Sequence, residues 1–353
     1  MEVKTLNVGI IGCGKITQIR HLPEYANNPH TTIVGYFDYN QERAEELAKK
    51  YGGKAFSTLD ALLADSNINA VSVCVANEAH AAIAIKALQA GKDVLCEKPM
   101  ATSLEDCEQM VDVAKKCNRK LMIDQNQRLA KSHVFAKRLL NQNLIGDVLT
   151  FKTTFGHGGP ETWSVDGGSN TWFFDKNKSK YGAIFDLGVH KLDLILYMLE
   201  STVVNVSSRM TTLDKRNSDG NLINVDDNAI SIYELKSGVL GTVTASWTYY
   251  GEEDNSTILY GTKGLMKIYD DPKFSIVVTL RSGEKIYYDV DRIQTNDDQT
   301  SSGMIDQFVD SVLNDHSSVA DGETVLKSMR AIFASVESSQ TGKRIKVDQL
   351  SKL

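Results

Sequence analysis

The chain has 353 residues, enough for two domains of about 150 residues each. Hydrophobic residues make up 42% and charged residues 24%, a globular balance that excludes wholesale disorder and fibrous classes. Lys and Arg number 39 against 45 Asp and Glu, and the net charge of −6 argues against a surface that tracks nucleic-acid phosphates.

The first 125 or so residues alternate between two textures. Apolar, β-rich runs occur at Asn7–Ile11, Thr32–Phe37, Ala70–Val75, Asp93–Cys96 and Lys120–Ile123. Between them the pattern predicts helices over Lys15–Ala26, Gln41–Tyr51, Leu59–Asp65, Glu78–Ala90 and Ser103–Cys117. Strands alternating with helices of this length mean βαβ units and a parallel sheet. The strands lack polar alternation, as expected when helices cover both faces.

Beyond residue 125 the pattern changes. A helix is predicted over Lys131–Asn141, then a strand over Val148–Phe155. A loop rich in Gly, Trp and His follows (GHGGPETWSVDGGSN), then a long apolar helix over Ile184–Leu199. Alternating runs come next: Val203–Met210, Asn228–Leu235, Leu240–Tyr249, Ser256–Tyr260, Gly264–Tyr269, Phe274–Leu280 and Lys285–Val290. Their hairpin spacing implies an antiparallel or mixed sheet. Residues 291–303 are polar and read as a flexible loop, and Met304–Asn314 and Thr324–Gln340 read as closing helices. The expected fold class is α/β, with a Rossmann-type doubly wound parallel sheet over 1–124. A C-terminal α/β domain with a large open, mostly antiparallel sheet is expected over 125–353.

The longest apolar stretches, such as Ala70–Ala76, are strand-length, so no transmembrane helix is expected. The start, MEVKTLNVGIIG, has no secretory-leader pattern. Five cysteines (Cys13, Cys74, Cys96, Cys107, Cys117) form neither a disulfide nor a zinc framework, so a reducing, cytoplasmic setting is expected.

The first turn, Gly9-Ile10-Ile11-Gly12-Cys13-Gly14-Lys15-Ile16-Thr17, follows a strand and opens a helix. Gly12 permits a tight turn. Gly14 lets backbone approach a pyrophosphate seated on the helix N-terminus at Lys15 and Ile16. Thr17 stands where the fingerprint has its third glycine. The second strand ends in Asp38, near the position about 20 residues on where a ribose-binding acid is expected. An Asp there accepts the 2′-hydroxyl and repels a 2′-phosphate, which favours NAD over NADP, while Arg43 blurs that preference and keeps NADP possible.

Three further clusters carry chemistry. Val75-Ala76-Asn77-Glu78-Ala79-His80 ends the fourth predicted strand, where Val75, Asn77 and His80 either touch cofactor or cap the helix. Leu95-Cys96-Glu97-Lys98-Pro99 ends the fifth, with Lys98 as donor and movable proton and Pro99 restricting its backbone. Asp186, His190 and Asp193 sit at i, i+4 and i+7 on an apolar helix, so one face carries all three. That stripe reads as an acid/base set, as a metal site completed by His157 or Glu161, or as a structural hydrogen-bond cluster.

These residues resemble the Gfo/Idh/MocA oxidoreductases, the glucose–fructose oxidoreductase and inositol dehydrogenase family. The resemblance runs through GIIGCGKI, the Asp38 strand end, AGKDVLCEKPMA, NQRL, GAIFDLGVHKLDLI, YGTKGLMKI and the closing TGKRIKV. It implies an NAD-dependent dehydrogenase acting on a secondary alcohol of a sugar, polyol or cyclitol, and a homodimer or homotetramer formed through the C-terminal sheet. It places Lys98 between nicotinamide and substrate, with Asp186 and His190 completing the catalytic set. Asp193 then binds a substrate hydroxyl. Glu97 and Asn126 are expected at the cofactor and Arg128 at the substrate pocket. The Gly- and Trp-rich loop would offer Trp163 and Trp172 for stacking and His157, Glu161 and Asp166 for hydroxyls, although Trp172 reads equally as packing. Alternatives on this fold are an NAD-assisted glycosidase and a non-catalytic nucleotide sensor. The intact Lys98, Asp186 and His190 argue against the sensor.

Overall fold

The computed structural model describes residues 4–164, 167–293 and 300–350. The chain divides into two compact units. The first comprises Met1–Asn126 and Thr295–Leu326; the second comprises Gln127–Gln294 and Lys327–Leu353. A single cut after residue 124 therefore misplaces the 295–326 segment, which groups with the first unit.

In the first unit, β1 (Leu6–Ile11) leads into a π-helical turn (Thr17–His21) that continues as α1 (Leu22–Asn27). Next come β2 (Thr31–Phe37), α2 (Gln41–Tyr51), β3 (Lys54–Ala55), α3 (Leu59–Ala64) and β4 (Ala70–Val73). Then follow α4 (His80–Gln89), β5 (Asp93–Cys96), α5 (Leu104–Cys117) and β6 (Leu121–Ile123). All pairs are parallel, in the order β3-β2-β1-β4-β5-β6. This is a doubly wound order, and it reverses between β1 and β4, where such sheets bind ligands at the strands' carboxyl ends. Every residue of β4 and β5 is buried, which explains the missing polar alternation. Two-residue β3 is too short to show in a pattern.

The returning segment has its own anchors. The Glu24 carboxylate accepts the Ser302 hydroxyl at 2.9 Å and the Gly303 N–H at 3.2 Å, just ahead of the helix Met304–Asn314. Ile123 N–H donates to the Ala320 carbonyl at 3.0 Å. Side-chain capping by a residue 278 positions away leaves no trace in local sequence. Of the polar loop expected at 291–303, residues 294–299 lie outside the described residues.

The second unit holds α6 (Lys131–Asn141), β7 (Val148–Gly156), α7 (Lys176–Ser179) and a π-helical turn (Ile184–Gly188) running into α8 (Val189–Leu199). Its other strands are β8 (Val203–Thr211), β9 (Asn228–Leu235), β10 (Leu240–Ser246), β11 (Thr257–Gly261) and β12 (Gly264–Ile268). The set closes with β13 (Ile276–Leu280), β14 (Lys285–Tyr288) and β15 (Ile345–Lys346). The nine-stranded order is β14-β13-β12-β11-β7-β10-β9-β8-β15. Among the described residues only β7–β10 is parallel and the other pairs are antiparallel, so the sheet is mixed.

One face of this sheet is covered. Tyr233 on β9 meets Ser335 through their hydroxyls at 2.6 Å, and the Ile184–Gly188 turn packs on β9 and β10. The opposite face of β9 carries Ile230 and Ile232, 57% and 47% exposed, beside Leu240 at 48%. Thr242 and Thr244 stand opposite Ile232 and Ile230 on that face, whereas Val239 and Ser246 are buried. Among the described residues no helix is long and apolar enough to cross a membrane.

Candidate active site

In the first unit, the turn after β1 is built on Gly12, whose φ is 92°. A Cβ there would lie 2.3 Å from the Cys74 carbonyl oxygen, so the ends of β1 and β4 approach as closely as they do only because this residue is glycine. Gly14 has open space where its Cβ would be, and half-buried Lys15 and Ile16 start the helix. Thr17, in place of a third glycine, is fully buried, and its hydroxyl donates to the Gly12 carbonyl at 2.7 Å. It pins loop to helix by a hydrogen bond rather than by absence of bulk.

Asp38 follows β2 with its carboxylate turned to this loop. Its Oδ2 accepts the Cys13 N–H at 2.7 Å and its Oδ1 accepts the Asn40 N–H at 2.8 Å. Each oxygen keeps lone-pair capacity for a hydroxyl donor. Burial first, then the Asp38 charge, push the Cys13 thiol up to about 12, and the Arg43 guanidinium opposes them. Arg43 and Asp38 thus act on the same loop. The residues fit a dinucleotide: an open glycine, a helix start just behind it, and an acid at the second strand end.

Val75 follows β4, and Asn77 is buried in the short turn ahead of α4. His80 lies against two backbone carbonyls. Its Nδ1 lies 2.7 Å from the Pro99 carbonyl and its Nε2 lies 3.1 Å from the Val75 carbonyl. Burial lowers its pKa, and a neutral ring donates to one of these two carbonyls, of which Pro99 is the nearer. Glu97 is likewise engaged by neighbouring side chains. It is 5% exposed, and its Oε1 is held by Arg20 Nη2 at 2.8 Å and His21 Nε2 at 3.0 Å. Lys98, half-buried, donates its backbone N–H to Glu97 Oε2 at 3.1 Å, and the Lys98–Pro99 peptide is cis. Asn126 is buried in the turn after β6.

In the second unit, Asp186 lies within the π-helical turn and accepts from Trp247 Nε1 at 3.0 Å. Sequence reasoning passed over Trp247, a fully buried ring just past β10 with no motif around it. It also passed over Asp226, which accepts the Gly182 and Ile184 N–H groups, both at 2.8 Å, and so caps that turn. Burial pushes the Asp226 carboxyl up to about 7. Lys191 was missed as well. It is fully buried, its Nζ bonded to the Asn255 carbonyl at 3.0 Å, and burial pushes it down to about 7. A lysine inside an apolar helix was its only signal.

An aromatic series runs from His190. The ring centroid of Phe155 lies 6.3 Å from His190 and 5.8 Å from His157, and His157 lies 6.5 Å from Trp163. Phe173 continues it, 5.2 Å from Trp163 and stacked on Trp172 at 3.9 Å. The structure therefore links His190, His157, Trp163 and Trp172 in one chain of ring contacts. His157 Nδ1 accepts the Gly159 N–H at 2.9 Å, which leaves the proton of a neutral ring on Nε2.

Asp193 and Arg128 are 1% and 2% exposed and grip each other through two hydrogen bonds, Nε to Oδ2 and Nη2 to Oδ1, both 2.6 Å. Ser328 adds a third bond to Asp193 at 2.9 Å, so the Asp193 carboxylate and the Arg128 guanidinium are engaged within the unit. Glu161 is committed to Lys215 in an ion pair that also engages the Gly158 carbonyl. Asp186, His190 and Asp193 do not form a set with metal-ligand spacing among the described residues. The π-helical turn interrupts the α period through Asp186, and Arg128 draws the Asp193 carboxylate away. Asp166 lies outside the described residues.

A family model described as an oxidoreductase family with an NAD-binding Rossmann fold matches residues 6–125, and the GFO/IDH/MocA C-terminal domain matches residues 133–267. Glucose-6-phosphate 3-dehydrogenase of Bacillus subtilis is 33% identical over 242 residues, 68% of this chain and 67% of that protein. Myo-inositol 2-dehydrogenase of Thermotoga maritima is 22% identical over 352 residues, 98% of this chain and 99% of that one. A solved levoglucosan dehydrogenase in complex with NADH and levoglucosan has the same fold, with a TM-score of 0.85 at 23% identity, covering 98% of this chain and 100% of that one. The glycine turn, the acid at the second strand end and the two matched domains agree: the chain belongs to the Gfo/Idh/MocA family of NAD-dependent oxidoreductases.

Proposed function

We propose that this enzyme oxidises or reduces a secondary alcohol of a sugar, polyol or cyclitol. The observation that carries the reading is the aromatic series leading from His190 to Trp172. Aromatic faces suit the apolar faces of sugar rings, and His157 and Trp163 add polar edges to the same surface. Two relatives are dehydrogenases of a sugar phosphate and of an inositol, and the solved structure of the same fold holds levoglucosan, which supports this substrate class.

The roles divide as follows. Backbone N–H groups at the helix start, Gly14 to Ile16, would hold the pyrophosphate, and Asp38 would take ribose hydroxyls. When bound, the nicotinamide supplies the two-electron redox chemistry. His190 accepts the hydroxyl proton, and Asp186, oriented by Trp247, stabilises the imidazolium that results. Lys98 stabilises the developing alkoxide charge.

The test is a panel of aldoses, cyclitols and glycosides with NAD or NADP, following the reduced cofactor. Turnover with at least one polyhydroxyl compound, lost in His190→Asn while NADH still binds, is the expected result. No turnover across the panel, or an unimpaired His190→Asn, overturns it. Glycoside cleavage without net cofactor reduction selects the NAD-assisted glycosidase instead.

Cofactor preference follows from Asp38. The enzyme is expected to prefer NAD(H), and Asp38→Ser is expected to shift the kcat/KM ratio toward NADP(H). A wild-type preference for NADP(H) would contradict this and make Arg43 the phosphate ligand.

The open face with Ile230, Ile232 and Leu240 supports a homo-oligomer that buries it. Sedimentation at micromolar concentration is expected to show a species larger than the 39.0 kDa chain. A monomer alone refutes it. The cysteines Cys13, Cys74, Cys96, Cys107 and Cys117 are all free, in keeping with a reducing, cytoplasmic setting.

A further inference from the structure

Next to Lys98 lies a set of charged side chains that the roles above leave unused. Arg20, His21, Glu97 and Asp124 are 5%, 0%, 5% and 1% exposed. Arg20 Nη2 lies 2.8 Å from Glu97 Oε1 and 3.7 Å from Asp124 Oδ2. His21 Nε2 lies 3.0 Å from that same Glu97 oxygen and 3.3 Å from Asp124 Oδ2. On its other side, His21 Nδ1 lies 3.3 Å from Ser72 Oγ, which is 2.8 Å from the Tyr25 hydroxyl.

The charges close on themselves. Two carboxylates and one guanidinium leave one negative charge, which an imidazolium at His21 neutralises. Its Nε2 sits between two carboxylate oxygens and has to carry a proton there. Burial alone would lower the His21 pKa, but Cys74, Asp124 and Glu97 reverse that and hold it well above the ordinary value. Burial alone would raise Glu97, but Arg20, His21 and Lys98 hold its carboxyl far below the usual range. Ligand atoms of His21, Glu97 and Asp124 fall within 4.8 Å of one another, a spacing that would suit a cation. Arg20 already occupies Glu97 Oε1, and a divalent ion beside that guanidinium would leave the buried set with excess positive charge.

We propose that the Arg20–His21–Glu97–Asp124 cluster is the device that positions Lys98. Arg20 and His21 fix Glu97 by one oxygen, and its other oxygen takes the Lys98 backbone N–H at 3.1 Å. On the far side of the turn, His80 takes the Pro99 carbonyl at 2.7 Å. The Lys98 side chain therefore leaves from a backbone held at both ends. Glu97 acts through Lys98 and is a positioning residue. The proposal rests on the reading of Lys98 as the charge-stabilising group.

The test is a double-mutant cycle in the full chain with NAD and the best substrate of the panel. Glu97→Gln keeps the size of the side chain and removes its charge. It is expected to lower kcat by roughly 10–10²-fold, the scale of a small misplacement of a reacting group, with KM and NADH affinity nearly unchanged. Glu97→Asp is expected to recover part of the loss. In a Lys98→Ala background, Glu97→Gln is expected to add little, because the group it positions is gone. If Glu97→Gln does not fold, His21→Gln takes its place in the same cycle, with the same pattern expected. Normal kcat in the folded single variant, or losses that multiply in the double variant, overturn the proposal and leave the role of Lys98 standing. Near-normal turnover in Lys98→Ala alone defeats both.

Discussion

Lys98→Ala is expected to lower turnover by at least ~10²-fold, about 2.7 kcal/mol of transition-state stabilisation, while NADH binding persists. The side chain follows β5 at the carboxyl end of a parallel sheet, where doubly wound folds place their ligands. Its backbone is tied to Glu97, while its neighbour Pro99 is tied to His80. Removing the ammonium takes away a positive charge where alkoxide character develops, so the loss falls on kcat more than on KM. Steady-state kinetics with fluorescence-monitored NADH titration check it. Near-normal turnover on a substrate the wild type accepts would remove Lys98 from the mechanism.

Asp193→Ala is expected to destabilise the second unit by about 3–5 kcal/mol, because it strands the Arg128 guanidinium in a site where that residue is 2% exposed. For a unit of this size that is a fall of roughly 6–20 °C in melting midpoint. The double replacement Arg128→Met with Asp193→Leu is expected to cost less than the single change, since it leaves no buried charge unpaired. Differential scanning calorimetry of the three proteins measures both. The alternative reading, with Asp193 on a substrate hydroxyl, requires the opposite pattern: KM rises and the midpoint stays put.

Much of the first unit was legible in the chain. Runs such as AVSV and DVLC have no polar alternation because both faces of β4 and β5 are buried, and that constraint acts on each strand locally. Gly12 and Asp38 were legible for a similar reason. A left-handed turn and a strand-end acid are demands on single residues, met by few residue types. The mixed sheet was legible as strands and turns, since the alternation of β9 follows from one covered and one open face.

Which polar group faces which was decided only by tertiary structure. From sequence, Asp186, His190 and Asp193 formed one stripe, but a π-helical turn broke the period and Arg128, 65 residues away in the chain, claimed the Asp193 carboxylate. Glu97 and His80 stood next to the right motif yet turn toward Arg20, His21 and backbone carbonyls. The same limit hid Trp247 behind Asp186, and the return of residues 295–326 to the first unit. Chain periodicity encodes how much of a residue is buried, because burial is a property of one position in its own element. A hydrogen-bond partner is a property of two positions, and when they lie far apart in the chain only the folded packing brings them within reach.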